Sequence, residues 1–289
     1  ADRDGRPVDS MRLILVLLAL FMIAQLLGIY TGTVIINDMN QNPYVEDLIV
    51  TTDAEEPMNA VVFILYILTG AVMMVLLIRL LGVYPIIFRI LEFVLISTAS
   101  SIVFYAFLRI IAPYEASTLA AIAMGLAFAG VKIVRPQLKN MAAILATAGV
   151  GVVFGISLGL IPLLIFLVLL SIYDFLAVFT TKHMVEMADY IVKRNLAFTV
   201  TARKAAVKKG EKEKRIDLGT GDIIAPIMLE VSALSLSPLA TLMVFVGAVS
   251  SMGVFLHLVF RKGTVLPALP PVVLGMVVAL GIGFVAGLY

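Results

Sequence analysis

The chain has 289 residues, of which 62% are hydrophobic and only 14% charged, and its mean hydropathy is +1.10. A water-soluble fold cannot bury that much apolar side chain, so composition excludes a soluble globular domain and predicts an all-α, polytopic membrane protein. Cysteine is absent, which excludes disulfides, thiolate metal sites and a cysteine nucleophile.

A membrane span needs about 20 apolar residues. The chain offers about nine such stretches: 13–34, 59–81, 85–111, 116–133, 141–157, 160–181, 218–236, 239–260 and 266–288. The first follows a mixed-charge start and is not followed by a small-x-small cleavage site, so it reads as a retained helix and not a signal peptide. Met11 reads as a natural start. The fourth and fifth are short and rich in glycine and alanine, which suits close helix packing. The seventh carries Asp222, Pro226 and Glu230, so its neighbours should shield it from lipid.

The net charge of +2 decides nothing, but its distribution does. Arg3, Arg6 and Arg12 precede the first span. Asp38, Glu46, Asp47, Asp53, Glu55 and Glu56 follow it, with no Lys or Arg among them. Basic residues recur at every second link: Arg79 and Arg89, then Lys132, Arg135 and Lys139, then the dense run from Lys182 to Arg215, then Arg261 and Lys262. The positive-inside rule then predicts a cytoplasmic N-terminus and an outside C-terminus in a cell membrane. Arg109 alone is on the wrong side. The chain divides into spans one to six (1–182), a basic cytoplasmic loop (183–217) and spans seven to nine (218–289). The loop reads as a solvated, topology-setting segment in preference to a lipid-binding patch.

Ionisable groups within a bilayer are costly and mark function. Asp174 lies in span six, and Asp222 and Glu230 in span seven. Glu92, near the start of span three, reads as a snorkelling residue or a partner of Arg89. Asp174 precedes Lys182 by eight residues, and Asp222 follows Arg215 by seven. At ~1.5 Å per helical residue both lie about 10–12 Å below the cytoplasmic face, on consecutive antiparallel spans. Glu230 is about two turns deeper. Two carboxylates held together share a proton, one acting as base on water and the other as acid. The same pair would also serve as a proton relay in a channel or transporter, and depth alone does not separate these readings. The segment Leu266-Pro267-Ala268-Leu269-Pro270-Pro271 cannot be helix interior. It is either an extended segment able to pair with a strand-like substrate, or a helix start rich in proline.

Tyr173-Asp174, Gly219-x-Gly221-Asp222 and Pro267-Ala268-Leu269, in that order and at spans six, seven and nine, resemble the signature of the presenilin and signal peptide peptidase family. These are the GxGD intramembrane aspartyl proteases, and the chain is similar to prokaryotic-type members over essentially its whole length. The resemblance implies that Asp174 and Asp222 are the catalytic pair. It also implies that Tyr173, Gly219, Gly221, Pro267, Ala268 and Leu269 shape the site and hold substrate. It implies substrates that are single-span membrane proteins or peptides within the lipid bilayer, and no cofactor or metal. The link between spans six and seven is short for the autoproteolytic maturation of presenilin. A prepilin-peptidase-like enzyme is disfavoured by the Tyr-Asp and Pro-Ala-Leu motifs.

Gly155-Ile156-Ser157-Leu158-Gly159 matches a Gly-x-Ser-x-Gly elbow. With Gly151, however, its glycines form a small-residue ladder at helical spacing, which is a packing motif. His183 and His257 belong to no HExxH or His–carboxylate pattern, which disfavours zinc or serine protease chemistry. No nucleotide loop is present, and no nucleic-acid partner is expected. Oligomeric state is not readable from the sequence.

Overall fold

The computed structural model describes residues 7–39, 41–42, 45, 47–51, 53–80, 85–177, 197, 199–204, 214–262 and 267–289. Among these are nine α-helices: α1 (Pro7–Asp38), α2 (Met58–Leu80), α3 (Pro85–Leu108), α4 (Tyr114–Val134), α5 (Lys139–Ser157), α6 (Leu160–Leu176), α7 (Thr220–Ala233), α8 (Pro238–Lys262) and α9 (Leu269–Val285). They match the nine apolar stretches one for one. Five of the described helices are long and apolar enough to cross a bilayer by themselves, and α2, α6 and α9 contribute shorter apolar segments. His183 and most of the basic run from Lys182 to Lys212 lie outside the described residues.

Hydropathy gives no sign of the two strands that precede α7. β1 (Thr199–Lys204) and β2 (Lys214–Gly219) form an antiparallel hairpin with Thr199 opposite Gly219 and Thr201 opposite Asp217. β1 packs on α1 and α5, burying Val200 and Ala202. Its outer edge is closed by a side chain: Asn140 Nδ2 donates to the Thr201 carbonyl at 2.7 Å, and the Thr201 N–H donates to Asn140 Oδ1 at 2.9 Å. A primary amide thus takes the place of a third strand. Lys139 Nζ reinforces the joint by donating to the hydroxyls of Thr199 and Thr201.

α7 is the centre of the bundle. It has 14 residues, about 21 Å of helix, against a hydrocarbon core of about 30 Å. Such a helix survives in a membrane because protein surrounds it: α1, α5, α6, α8 and α9 all pack against it, and every residue from Ala225 to Ala233 is buried. Two β-branched residues one turn apart fix its position. Ile227 lies against Gly28 of α1 and Gly151 of α5, and Val231 against Gly32 and Gly155 of the same two helices. A Cβ on Gly32 would come within 2.8 Å of Val231 Cγ2, and one on Gly155 within 2.8 Å of Val231 Cβ and of the Met228 carbonyl. The expected ladder at Gly151 and Gly155 is therefore a packing surface, and α1 carries a second one.

Ser157 of the Gly-x-Ser-x-Gly match is a buried joint. Its hydroxyl donates to the Val153 carbonyl and accepts the Val50 N–H at 3.0 Å. Glu92 pairs across helices with Lys132 of α4, both side chains buried, and accepts the Ala197 N–H at 2.6 Å. The expected partner Arg89 sits on the exposed face of α3. Arg109, the exception to the charge pattern, forks onto Asp38 at 2.5 and 3.0 Å.

The glycine notches give a direct test. Replacing Gly155 by leucine should destabilise the purified protein by about 1–3 kcal/mol, the usual cost of overpacking. In a double-mutant cycle with Val231→Ala, thermal denaturation should recover part of that loss. Additive effects would mean that the two side chains do not meet.

Candidate active site

α7 begins where β2 ends, and the Gly219-Thr220-Gly221-Asp222 turn makes the junction. Gly219 is the N-cap, with extended φ −62° and ψ 141°. Asp222 is then the third helical residue, the position from which an acidic side chain reaches back to the N-cap amide. The Gly219 main-chain N–H does face the Asp222 carboxyl. A Cβ on Gly219 would lie 3.2 Å from Asp222 Oδ2, so a side chain there crowds the carboxyl. Gly221 differs: a Cβ on it would meet nothing within 4 Å. It borders open space and does not serve helix packing. Pro226, inside α7, brings no N–H to the Asp222 carbonyl one turn back, which loosens the helix start.

Asp174 comes from the last turn of α6, and its side chain is 7% exposed. The Leu269 main-chain N–H, at the start of α9, faces its carboxyl. Asp174 Oδ2 is buried and makes no hydrogen bond within the described protein, an arrangement that is costly unless a ligand or water serves it.

A cavity of about 410 Å³ joins these parts. Asp174, Asp222, Tyr173, Gly219, Gly221 and Leu269 all line it. Phe63 and Ile67 of α2, with Val150 and Phe154 of α5, make an apolar wall. The two carboxyls are close enough to interact electrostatically. Two expected residues stand aside. Ala268 is the buried N-cap of α9, with helical φ −87° and ψ −30°. Pro267 lines a neighbouring groove between α8 and α9. Pro270 and Pro271 occupy the first turn of α9, where their missing N–H groups cost nothing. The helix-start reading therefore accounts for those two prolines, and α9 is already helical at Leu269. Glu230 is fully buried and does not line the cavity. The sequence reading missed the α2 wall, because nothing in an apolar helix marks which face meets a site.

The family model for signal-peptide peptidase and presenilin aspartyl proteases matches residues 18–288. The chain belongs to this family. Among solved structures, it is similar to a presenilin family intramembrane aspartate protease in two crystal forms. The C222 form aligns with a TM-score of 0.68 at 24% identity, covering 94% of this chain and 99% of the other. The P2 form aligns with a TM-score of 0.66 at 25% identity, covering 98% and 100%. No curated protein matches. The protein is an integral membrane, intramembrane-cleaving aspartic endopeptidase.

Steric room separates the two glycines of the turn. With Asp222 as a candidate reacting group, Gly219→Val should cut peptide cleavage at least about tenfold, because displacing such a group by about 1 Å is costly. Gly221→Ala should leave the melting temperature unchanged. Equal activity of Gly219→Val and wild type would remove the contact between that position and Asp222 from the account.

Proposed function

We propose that Asp174 and Asp222 are the catalytic dyad, and that the enzyme cleaves single-span membrane proteins at peptide bonds inside or beside their transmembrane helices. The observation that carries this reading is the cavity that both carboxyls line, with one Asp174 oxygen buried and unbonded there. One ionised carboxylate removes a proton from a water molecule held between the pair. The oxygen of that water bonds to the scissile carbonyl carbon while the other carboxyl, protonated, donates to the carbonyl oxygen. The tetrahedral diol collapses when the first carboxyl passes the proton it took from water to the leaving nitrogen, the second takes a proton back from a diol hydroxyl, and the C–N bond breaks. Each carboxyl then returns to its starting state. Apolar side chains of α2 and α5 wall the cavity in which this chemistry takes place.

A helical substrate offers no accessible peptide bond, so a few residues must unwind first. β2 supports a mode for this. It belongs to a two-stranded sheet and runs directly into Gly219 and the dyad turn. An unwound substrate segment joining β2 as a further strand would carry its backbone toward Asp222. Gly221, with open space where a side chain would stand, leaves room for that backbone. Leu269 lines the same cavity from the other side.

The charge pattern supports a cytoplasmic N-terminus, an outside C-terminus and residence in the cell membrane. With the dyad toward the cytoplasmic half, substrates whose N-termini lie outside present their cytoplasmic end to β2.

Asp174→Asn and Asp222→Asn should each reduce cleavage of a membrane peptide by at least about 10³-fold, since members of one catalytic unit fail singly, while the melting temperature holds. Mass spectrometry of the products reads this directly, and substantial turnover by either variant would refute the dyad. Orientation is checked separately, in liposomes of known protease sidedness, with one substrate helix inserted both ways. Cleavage should favour the N-outside form, and indifference would overturn the orientation without touching the dyad.

A further inference from the structure

A second cavity, of about 460 Å³, lies at the end of the bundle away from the aspartates, between α3 and α4 and under the segment that follows α1. The placement follows from the glycine notches. Gly28 meets Ile227 and Gly32 meets Val231, so α1 and α7 run parallel. Asp222 then lies beside the middle of α1, while Asp38 ends that helix about four turns further on.

The cavity runs lengthwise along the two helices. It is lined from Ser97 to Tyr105 on α3 and from Thr118 to Leu126 on α4, about 12 Å on each. Its one linked polar network sits at one end. Asn42 donates to the Tyr105 hydroxyl at 2.8 Å, and that hydroxyl donates to Asp38 at 2.7 Å. Arg109 completes the cluster on Asp38. Toward the middle of the bundle the lining becomes Ile102, Ala121, Ile122 and Leu126. The hydroxyls there present mainly methylene and methyl surface, because Thr98 and Ser101 donate back to carbonyls of their own helix. The floor is buried at Ile35 and Ala121, whereas Thr98, Ile122 and Leu126 are exposed at the mouth. In a membrane-embedded protein that mouth faces hydrocarbon, not water.

We infer that this cavity binds one hydrocarbon chain of a bilayer lipid, with the lipid's glycerol linkage beside Asn42 and Tyr105. Three properties select that occupant. The opening faces the phase in which lipid chains are the solvent. The polar end lies where α1 and α3 finish and the apolar end near mid-helix, which is the polarity gradient of a lipid leaflet. The slot holds about 460 Å³ and runs about 12 Å along two adjacent helices, a length that suits part of one acyl chain. The site is independent of the dyad, since none of its lining residues borders the aspartate cavity.

Native mass spectrometry of the full chain, purified in detergent and supplemented with dioleoyl phosphatidylcholine, tests this. Wild type should retain one lipid per chain. Ala121→Phe fills the floor, and Ile122→Trp plugs the mouth from an exposed position that does not disturb the core. Each should lower the retained fraction about tenfold, a loss of about 1.4 kcal/mol in binding. Leu119→Trp, exposed on α4 outside the cavity lining, should retain the lipid. Three results would overturn the site: equal retention in wild type and both filling variants, equal binding of glycerophosphocholine that carries no chains, or dimers of the protein in place of lipid adducts. Ile122→Trp keeps the test decisive if Ala121→Phe fails to fold.

Discussion

The seating of Ile227 and Val231 in four glycine notches governs the rest of the molecule. Between helices in a bilayer there is little hydrophobic driving force, because lipid tails are as apolar as leucine. Close van der Waals contact must do the holding, and contact of that quality requires backbones to approach without side chains between them. Gly28 and Gly32 on one side, and Gly151 and Gly155 on the other, provide it. A helix of 14 residues, too short to be held by lipid, is thereby fixed along its axis and in rotation. Asp222 stands five residues before Ile227 on that same helix, so the clamp also sets where this carboxyl points.

Polar contacts at the two ends of α5 extend the constraint beyond the bundle centre. At one end Lys139 and Asn140 hold β1. At the other, Ser157 receives the Val50 N–H and its carbonyl accepts the Thr51 hydroxyl, while the Gly159 N–H donates to the Ala54 carbonyl. Each partner is backbone or a short polar side chain, buried or half-buried, where a hydrogen bond left unmade would cost about 1–3 kcal/mol. A single helix thus joins the hairpin that leads into the Asp222 turn to the segment at the opposite end. The buried Glu92–Lys132 pair makes a comparable joint between α3 and α4, and the Ala197 N–H shares its acid.

The helices were legible in the sequence because a bilayer enforces length and hydropathy, and the two candidate acids stood out because acids are rare there. The depth match of Asp174 and Asp222 came from a premise only partly met. Residues from Arg215 to Gly219 are strand, not helix, yet both carboxyls reach one cavity. The hairpin itself was hidden by its composition: Thr199–Lys204 and Lys214–Gly219 look like a charged loop, and the group that closes their outer edge, Asn140, is more than fifty residues away. Gly28 and Gly32 passed unnoticed inside a long apolar run, where a glycine pair has meaning only once its partner helix is known. Of Pro267-Ala268-Leu269 only Leu269 lines the aspartate cavity, and the letters could not say so, since a proline-rich helix start and an extended segment read alike.

Asn140 has a consequence for how many chains the enzyme can handle at once. A two-stranded sheet ordinarily offers two flanks, and a protein that receives extended polypeptide on either could accept two molecules or template a growing stack. Here the amide of Asn140 makes both hydrogen bonds that a neighbouring strand would make to Thr201, and α5 stands behind it. Under the proposed strand pairing, recruitment would be confined to the β2 flank, which leads to the aspartates. Such an enzyme would take a single guest at a time, with its other edge already closed by Asn140.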